Sequence, residues 1–108
     1  MQICHLDQVS LTIDLNPCNL NLGIPGLTER ARSYGIDLTQ CKDALIFVSR
    51  NHKLLKMVWY DHAGSSMITR KLAKGGFQRL VTSIYANGLK SLTFAELCLY
   101  LDGERIQV

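Results

Sequence analysis

Closely spaced cysteines are missing from this chain. Cys4, Cys18, Cys41 and Cys98 stand far apart, so there is no zinc knuckle and no two-residue-spaced redox pair. No ligand spacing joins them to His5, His52 or His62 as a metal site. A disulfide framework belongs to exported mini-proteins, and the opening "MQICHLDQVSL" has neither a basic head nor a small-residue cleavage site. The thiols are therefore expected to be free and mostly buried. Long apolar runs are also absent: none approaches the roughly 20 residues that cross a bilayer. These absences predict a cytoplasmic protein with no membrane association. No serine, histidine and acid fall in a nucleophile context, and His62 in "YDHAG" reads as a turn residue. "AKGGF" has two glycines near a lysine but lacks the rest of a phosphate loop. No catalytic residue, metal or cofactor is expected.

What is present suits one ordinary domain over 1–108. Hydrophobic residues make up 47% and charged residues 19%, enough for a core and a wetted surface. The net charge of +3 is unevenly spread. Residues 50–79 hold seven bases (Arg50, Lys53, Lys56, Arg70, Lys71, Lys74, Arg79) and one acid, Asp61, a net of +6; the rest hold five bases and eight acids, a net of −3. Such a dipolar surface steers an anionic partner.

Periodicity divides the chain into elements. "VSLTIDL" alternates Val9, Leu11 and Ile13 with Ser10, Thr12 and Asp14, a half-buried strand ending at Asn16-Pro17. Leu20, Ile24, Leu27, Ala31 and Tyr34 share a helical face. Asn19 is a candidate cap for a longer helix, but Pro25 favours a start at its own position, and Gly35 is the stop. "ALIFVS", "KLLKMVWY" and "SSMITRKL" read as three strands joined by short turns. In the second, Leu55, Met57 and Trp59 share the core face. Asn87-Gly88 marks a turn beside a further strand or hairpin. "LTFAELCLYLDG" holds a capping box, Thr93 with Glu96, a staple of Leu92 and Leu97, and an inward stripe of Phe94, Leu97, Cys98 and Leu101. The expected class is α+β: an antiparallel β-meander sheet with two helices packed on it.

Asp14, Asp61 and Glu96 invite comparison with the acids of a two-metal nuclease. The context argues against it: Asp61 sits in a hairpin turn, Glu96 serves the capping box, and the length leaves no room for the larger sheet. The basic hairpin is the stronger candidate. Arg50, His52 and Lys53 cluster at the first turn, and Arg70, Lys71 and Lys74 at the end of the third strand. A meander brings these two places to one end of the sheet. Lysine and arginine there could sit on DNA phosphates, or could form a solvated face that blocks edge pairing. Asn51 fits turn geometry better than a base contact. The candidate nucleic-acid residues are Arg50, Asn51, His52, Lys53, Lys56, Arg70, Lys71, Lys74 and Arg79. A protein–protein module without nucleic-acid affinity is the alternative.

The stretches "PCNLNLGIPGL", "ALIFVSRNHKLLK", "YDHAG", "KLAKGGF" and "LTFAEL", in that order, resemble the TnpB accessory protein, the second open reading frame, of the IS-sixty-six group of insertion sequences. The resemblance runs from about Asn16 to Asp102. It implies a non-catalytic accessory of DNA transposition, with DNA or a co-encoded transposase as partner. The chain departs from the family pattern at Asn19 and Asn21, where an acid and an arginine are usual. It departs again at Ala73, which replaces an acid, at Gln78-Arg79-Leu80, where Trp-Pro is usual, and at Pro25 within the first helix.

Overall fold

The computed structural model describes residues 3–81 and 85–107. A 3-10 segment, Ile3–Gln8, leads into strand β1 (Ser10–Cys18), helix α1 (Ile24–Ser33) and a 3-10 turn, Leu38–Gln40. Strands β2 (Asp43–Ser49), β3 (Leu54–Asp61) and β4 (Gly64–Lys71) follow. A 3-10 turn, Ala86–Gly88, then precedes β5 (Leu89–Leu92) and helix α2 (Phe94–Leu101). The five strands form one sheet in the order β4-β3-β2-β1-β5.

The class is α+β, but the sheet is mixed. Strands β2, β3 and β4 form the expected antiparallel meander. Strand β1, however, runs parallel to β2, and β5 is antiparallel to β1. The parallel pair arises because α1 carries the chain back between β1 and β2, the crossover that a parallel neighbour requires. This corrects the expectation of a wholly antiparallel sheet.

The helices lie on opposite faces of the sheet. Side chains alternate along a strand, so in β2 Ala44, Ile46 and Val48 pack with Leu97 and Tyr100 of α2, while Leu45 and Phe47 pack with Leu27 and Ala31 of α1. Strand β2 is covered on both sides, as its unbroken apolar run indicates. Leu55, Met57 and Trp59 are core on the α2 side, as expected.

Local signals account for the helix ends. Pro25 sits in the first turn of α1, where no partner for its nitrogen is needed. Gly23 is the N-cap there, and Asn19 instead accepts from the Asn21 N–H. After α1, Gly35 N donates to Arg32 O and Ile36 N to Ala31 O, a Schellman closure. The capping box of α2 is formed: Glu96 N donates to Thr93 Oγ1 at 3.1 Å and Thr93 N to Glu96 Oε1 at 2.8 Å.

Three expectations are corrected. Strand β1 continues through Asn16-Pro17 to Cys18; the register slips between Asp14 and Cys18, so no regular ladder bond is asked of the proline nitrogen. The buried side of α2 is Leu97 and Tyr100 with Leu101, whereas Phe94 and Cys98 are exposed. Tyr100 takes the inward place because its ring stacks on Phe77 and its hydroxyl donates to Gln78 O at 2.8 Å. Among the described thiols only Cys18 is buried, where burial raises its pKa; Cys41 and Cys98 are exposed. Strand β5 is the strand expected beside Asn87-Gly88; residues 77–81 form none, and residues 82–84 lie outside the described residues. The side chains of Cys4 and His5 are outside them too.

Candidate nucleic-acid interface

The turn between β2 and β3 is held by its own polar groups. His52 N donates to Ser49 O at 2.9 Å. Asn51 Oδ1 accepts from Ser49 Oγ at 2.7 Å and from Lys53 N at 3.1 Å, so Asn51 does act as a turn residue. His52 adopts a left-handed backbone, φ 59°, a conformation histidine tolerates better than most residues. Its carbonyl accepts from Phe77 N at 2.6 Å. A Cβ on Gly76 would lie 2.9 Å from that same oxygen. The "AKGGF" loop can pass this closely over the turn only with glycine at 76.

Register brings the two basic clusters together. Arg70 pairs with Leu55 and Lys71 with Leu54, and Leu72 N donates to Lys53 O at 3.3 Å. Directly opposed residues share a face. Arg70 therefore lies on the α2 side with Leu55, and Lys71 on the α1 side with Leu54. The charge wraps around the sheet end instead of lying flat on one face. Lys74 follows on the exposed loop. Arg79 returns beside His52 and lines two cavities with it. Lys56 is placed differently: its Nζ donates to Leu22 O at 3.1 Å, tying β3 to the segment before α1. Among the described residues, no carboxylate lies within 4.0 Å of the cationic groups of Arg50, Lys53, Arg70, Lys71, Lys74 or Arg79.

Three depressions surround this turn. A groove of about 590 Å³ lies at the carboxyl ends of β1 and β2, the edge where sheets with parallel strands commonly hold ligands. Its walls include Leu15, Val48, Leu80 and Tyr100, with Arg50, His52 and Arg79 also lining it. A second cavity, about 420 Å³, is lined by Lys53, Gly75, Gly76, Arg79 and Arg105 among others, with no acid in its wall. A third, about 500 Å³, joins Arg50 and Asn51 to Asn19 and Asn21. Asn19 and Asn21 thus line the same cavity as Arg50 with uncharged amides. His52 is half-buried, and burial lowers its pKa; its ring lies 3.2 Å from Arg50 O, which opposes the shift, while Arg79 adds to it.

The acids are engaged in structural bonds, including Asp14, which also lines the groove. Asp14 is buried on the α1 side, its side chain 0% exposed. It accepts from Arg30 Nε at 2.8 Å, Tyr34 Oη at 2.9 Å, Asn16 N at 2.9 Å and Asn16 Nδ2 at 3.0 Å. Burial first, and then Asp14, raise the pKa of Tyr34, keeping its hydroxyl a donor. Asn16 also donates to Asn87 O at 2.8 Å, and a Cβ on Gly88 would lie 2.7 Å from the Asn16 side chain. Asp14 therefore locks α1 and the turn before β5 to the end of β1. Asp61 caps the β3–β4 turn, accepting from Ala63 N and Gly64 N. By register Asp14 aligns with Phe47 and Lys56, which puts Asp61 two strands across and about 16 Å further along the strand direction. Glu96 remains in its capping box.

Sequence reasoning missed Arg105, the Gly75-Gly76 passage and the Asp14 network. The paired glycines in "AKGGF" were the available signal for the passage. Nothing local marks Arg105, which reaches the site because α2 ends in a second Schellman closure at Gly103.

The family model for IS66 Orf2-like proteins (TnpB) matches residues 9–108. No curated protein and no solved structure matches the chain. The match spans nearly the whole chain, including every strand and both helices, so the chain belongs to the IS66 Orf2-like family, a family of insertion-sequence accessory proteins.

Proposed function

We propose that this protein is a non-catalytic accessory factor in the transposition of an insertion sequence, and that the basic end of its sheet binds the phosphate backbone of DNA. The observation that supports this most is the gathering of Arg50, Lys53, Arg70, Lys71, Lys74 and Arg79 around one sheet end without carboxylate partners among the described residues. Unpaired cations clustered on two faces of an edge suit a polyanion better than a solvated face, where acids commonly intersperse. In this reading the protein works in the cytoplasm, with the co-encoded transposase supplying the strand-transfer chemistry.

The test is binding of the full chain to a labelled duplex across a salt series. Binding that weakens steeply with salt supports the reading. No binding at low salt, or binding unchanged by charge reversal at Arg50, Lys53 and Lys71 in a folded protein, overturns it. A second reading, a protein–protein module without nucleic-acid affinity whose partner is the transposase, draws on the exposed Phe94 and Leu99 of α2, 38% and 45% exposed. Apolar docking of that kind would be nearly insensitive to salt.

A further inference from the structure

The groove and the acid-free cavity share His52 and Arg79, and so lie on either side of that pair. Their chemistries differ. The cavity presents Lys53, Arg79 and Arg105 around the close glycine passage. The groove presents apolar walls and is within the range of volumes, about 300–1,000 Å³, that hold small organic ligands. We propose that the two together bind one unpaired nucleotide of a DNA strand, its phosphate among Lys53, Arg79 and Arg105 and its base between Leu15, Val48 and Leu80. This rests on the DNA-binding reading above and goes beyond it by naming the form of DNA.

The shape argues for an unpaired base. Phosphates of an intact duplex can be met by protruding lysines and arginines, and need no apolar recess beside them. A base already out of the stack presents a flat apolar face that such a recess can cover, with arginine or histidine planes at its mouth. The polar groups of the groove also speak to specificity. Ser49 Oγ donates to Asn51 Oδ1 and accepts from Leu54 N. The Asn16 amide is held by Asp14 and Asn87. The Asp14 carboxylate is filled, and the Tyr100 hydroxyl donates to Gln78 O. These groups are committed to the fold, which leaves the side chains of Arg50, His52 and Arg79 as the groove's other polar lining, suited to stacking and phosphate contact. Recognition there would therefore tolerate any base, with selectivity for single-stranded over paired DNA.

The experiment compares the full chain binding to three labelled probes: a single-stranded oligonucleotide, a blunt duplex, and the same duplex with a short single-stranded overhang. The strand and the overhang duplex are expected to bind at least about tenfold more tightly than the blunt duplex, the scale of one covered base. R105E, at an exposed position, should abolish most of that preference. L80A should reduce it, while R70E, outside both cavities, should weaken all three probes alike. Equal or tighter binding of the blunt duplex, or an unchanged preference in R105E, overturns the nucleotide site and leaves the duplex-binding reading standing. No binding to any probe at low salt overturns both.

Discussion

Asp14 and His52 show how single residues tie the sheet end together. Asp14 has no exposed side-chain surface, and Arg30, Tyr34 and Asn16 satisfy its oxygens. Removing one partner of a buried pair leaves the other uncompensated, at a cost of about 3–5 kcal/mol. D14A should therefore lower unfolding free energy by about that amount in urea titration; a loss below about 1 kcal/mol would show that the network adds little. His52 makes a pH prediction. Its folded pKa is below the ordinary 6.5 because burial disfavours the imidazolium. The unfolded chain then binds the proton more readily, so this stabilisation is complete above about pH 6.5 and is lost as pH falls toward the folded value. Thermal unfolding followed from about pH 7.5 to 5 should show a falling midpoint. H52N, whose side chain also tolerates the left-handed turn, should flatten that fall.

Among the elements, α2 had the clearest local signature, and the structure has its cap in place. Thr93 and Glu96 satisfy each other's backbone donors, and Leu92 and Leu97 are both buried around them. T93A should cost about 1 kcal/mol, read by urea unfolding. The helix's inward face was less legible. Phe94, Leu97, Cys98 and Leu101 make a regular stripe, but the helix is short and nearly all apolar, so several rotations fit the same pattern. The choice fell to Tyr100, through Phe77 and Gln78 from a distant loop. Strand β1 was legible as a strand and not as a neighbour. Its alternation says which residues point the same way; it says nothing of whether β2 lies beside it or in which direction.

At the scale of the whole molecule, the charge asymmetry of the sequence becomes a geometric one. The β2–β3 turn and the end of β4 meet because an antiparallel meander returns alternate ends to one edge, and this followed from the strand order alone. Arg79 and Arg105 join from segments that lie outside the meander. If this edge neutralises phosphates, each contact contributes about 0.9 to the slope of log affinity against log salt. Reversing Arg50, Lys53 and Lys71 should lower both duplex affinity and that slope, by roughly one contact per residue. An unchanged slope in the folded variant would place the DNA contact elsewhere.

Composition and periodicity were enough for the α+β class, the three-strand meander, the glycine stops of both helices and the capping box of α2, the core face of β3 and the meeting of the two basic clusters, because each rests on neighbours close in sequence or on simple alternation. The ordered motifs were enough for the family. The parallel placement of β1, the burial of Asp14, the rotation of α2 and the arrival of Arg105 depend on contacts between residues far apart in the chain. Those contacts are chosen by how two faces of one sheet are covered at once, a competition that no local stretch of sequence encodes.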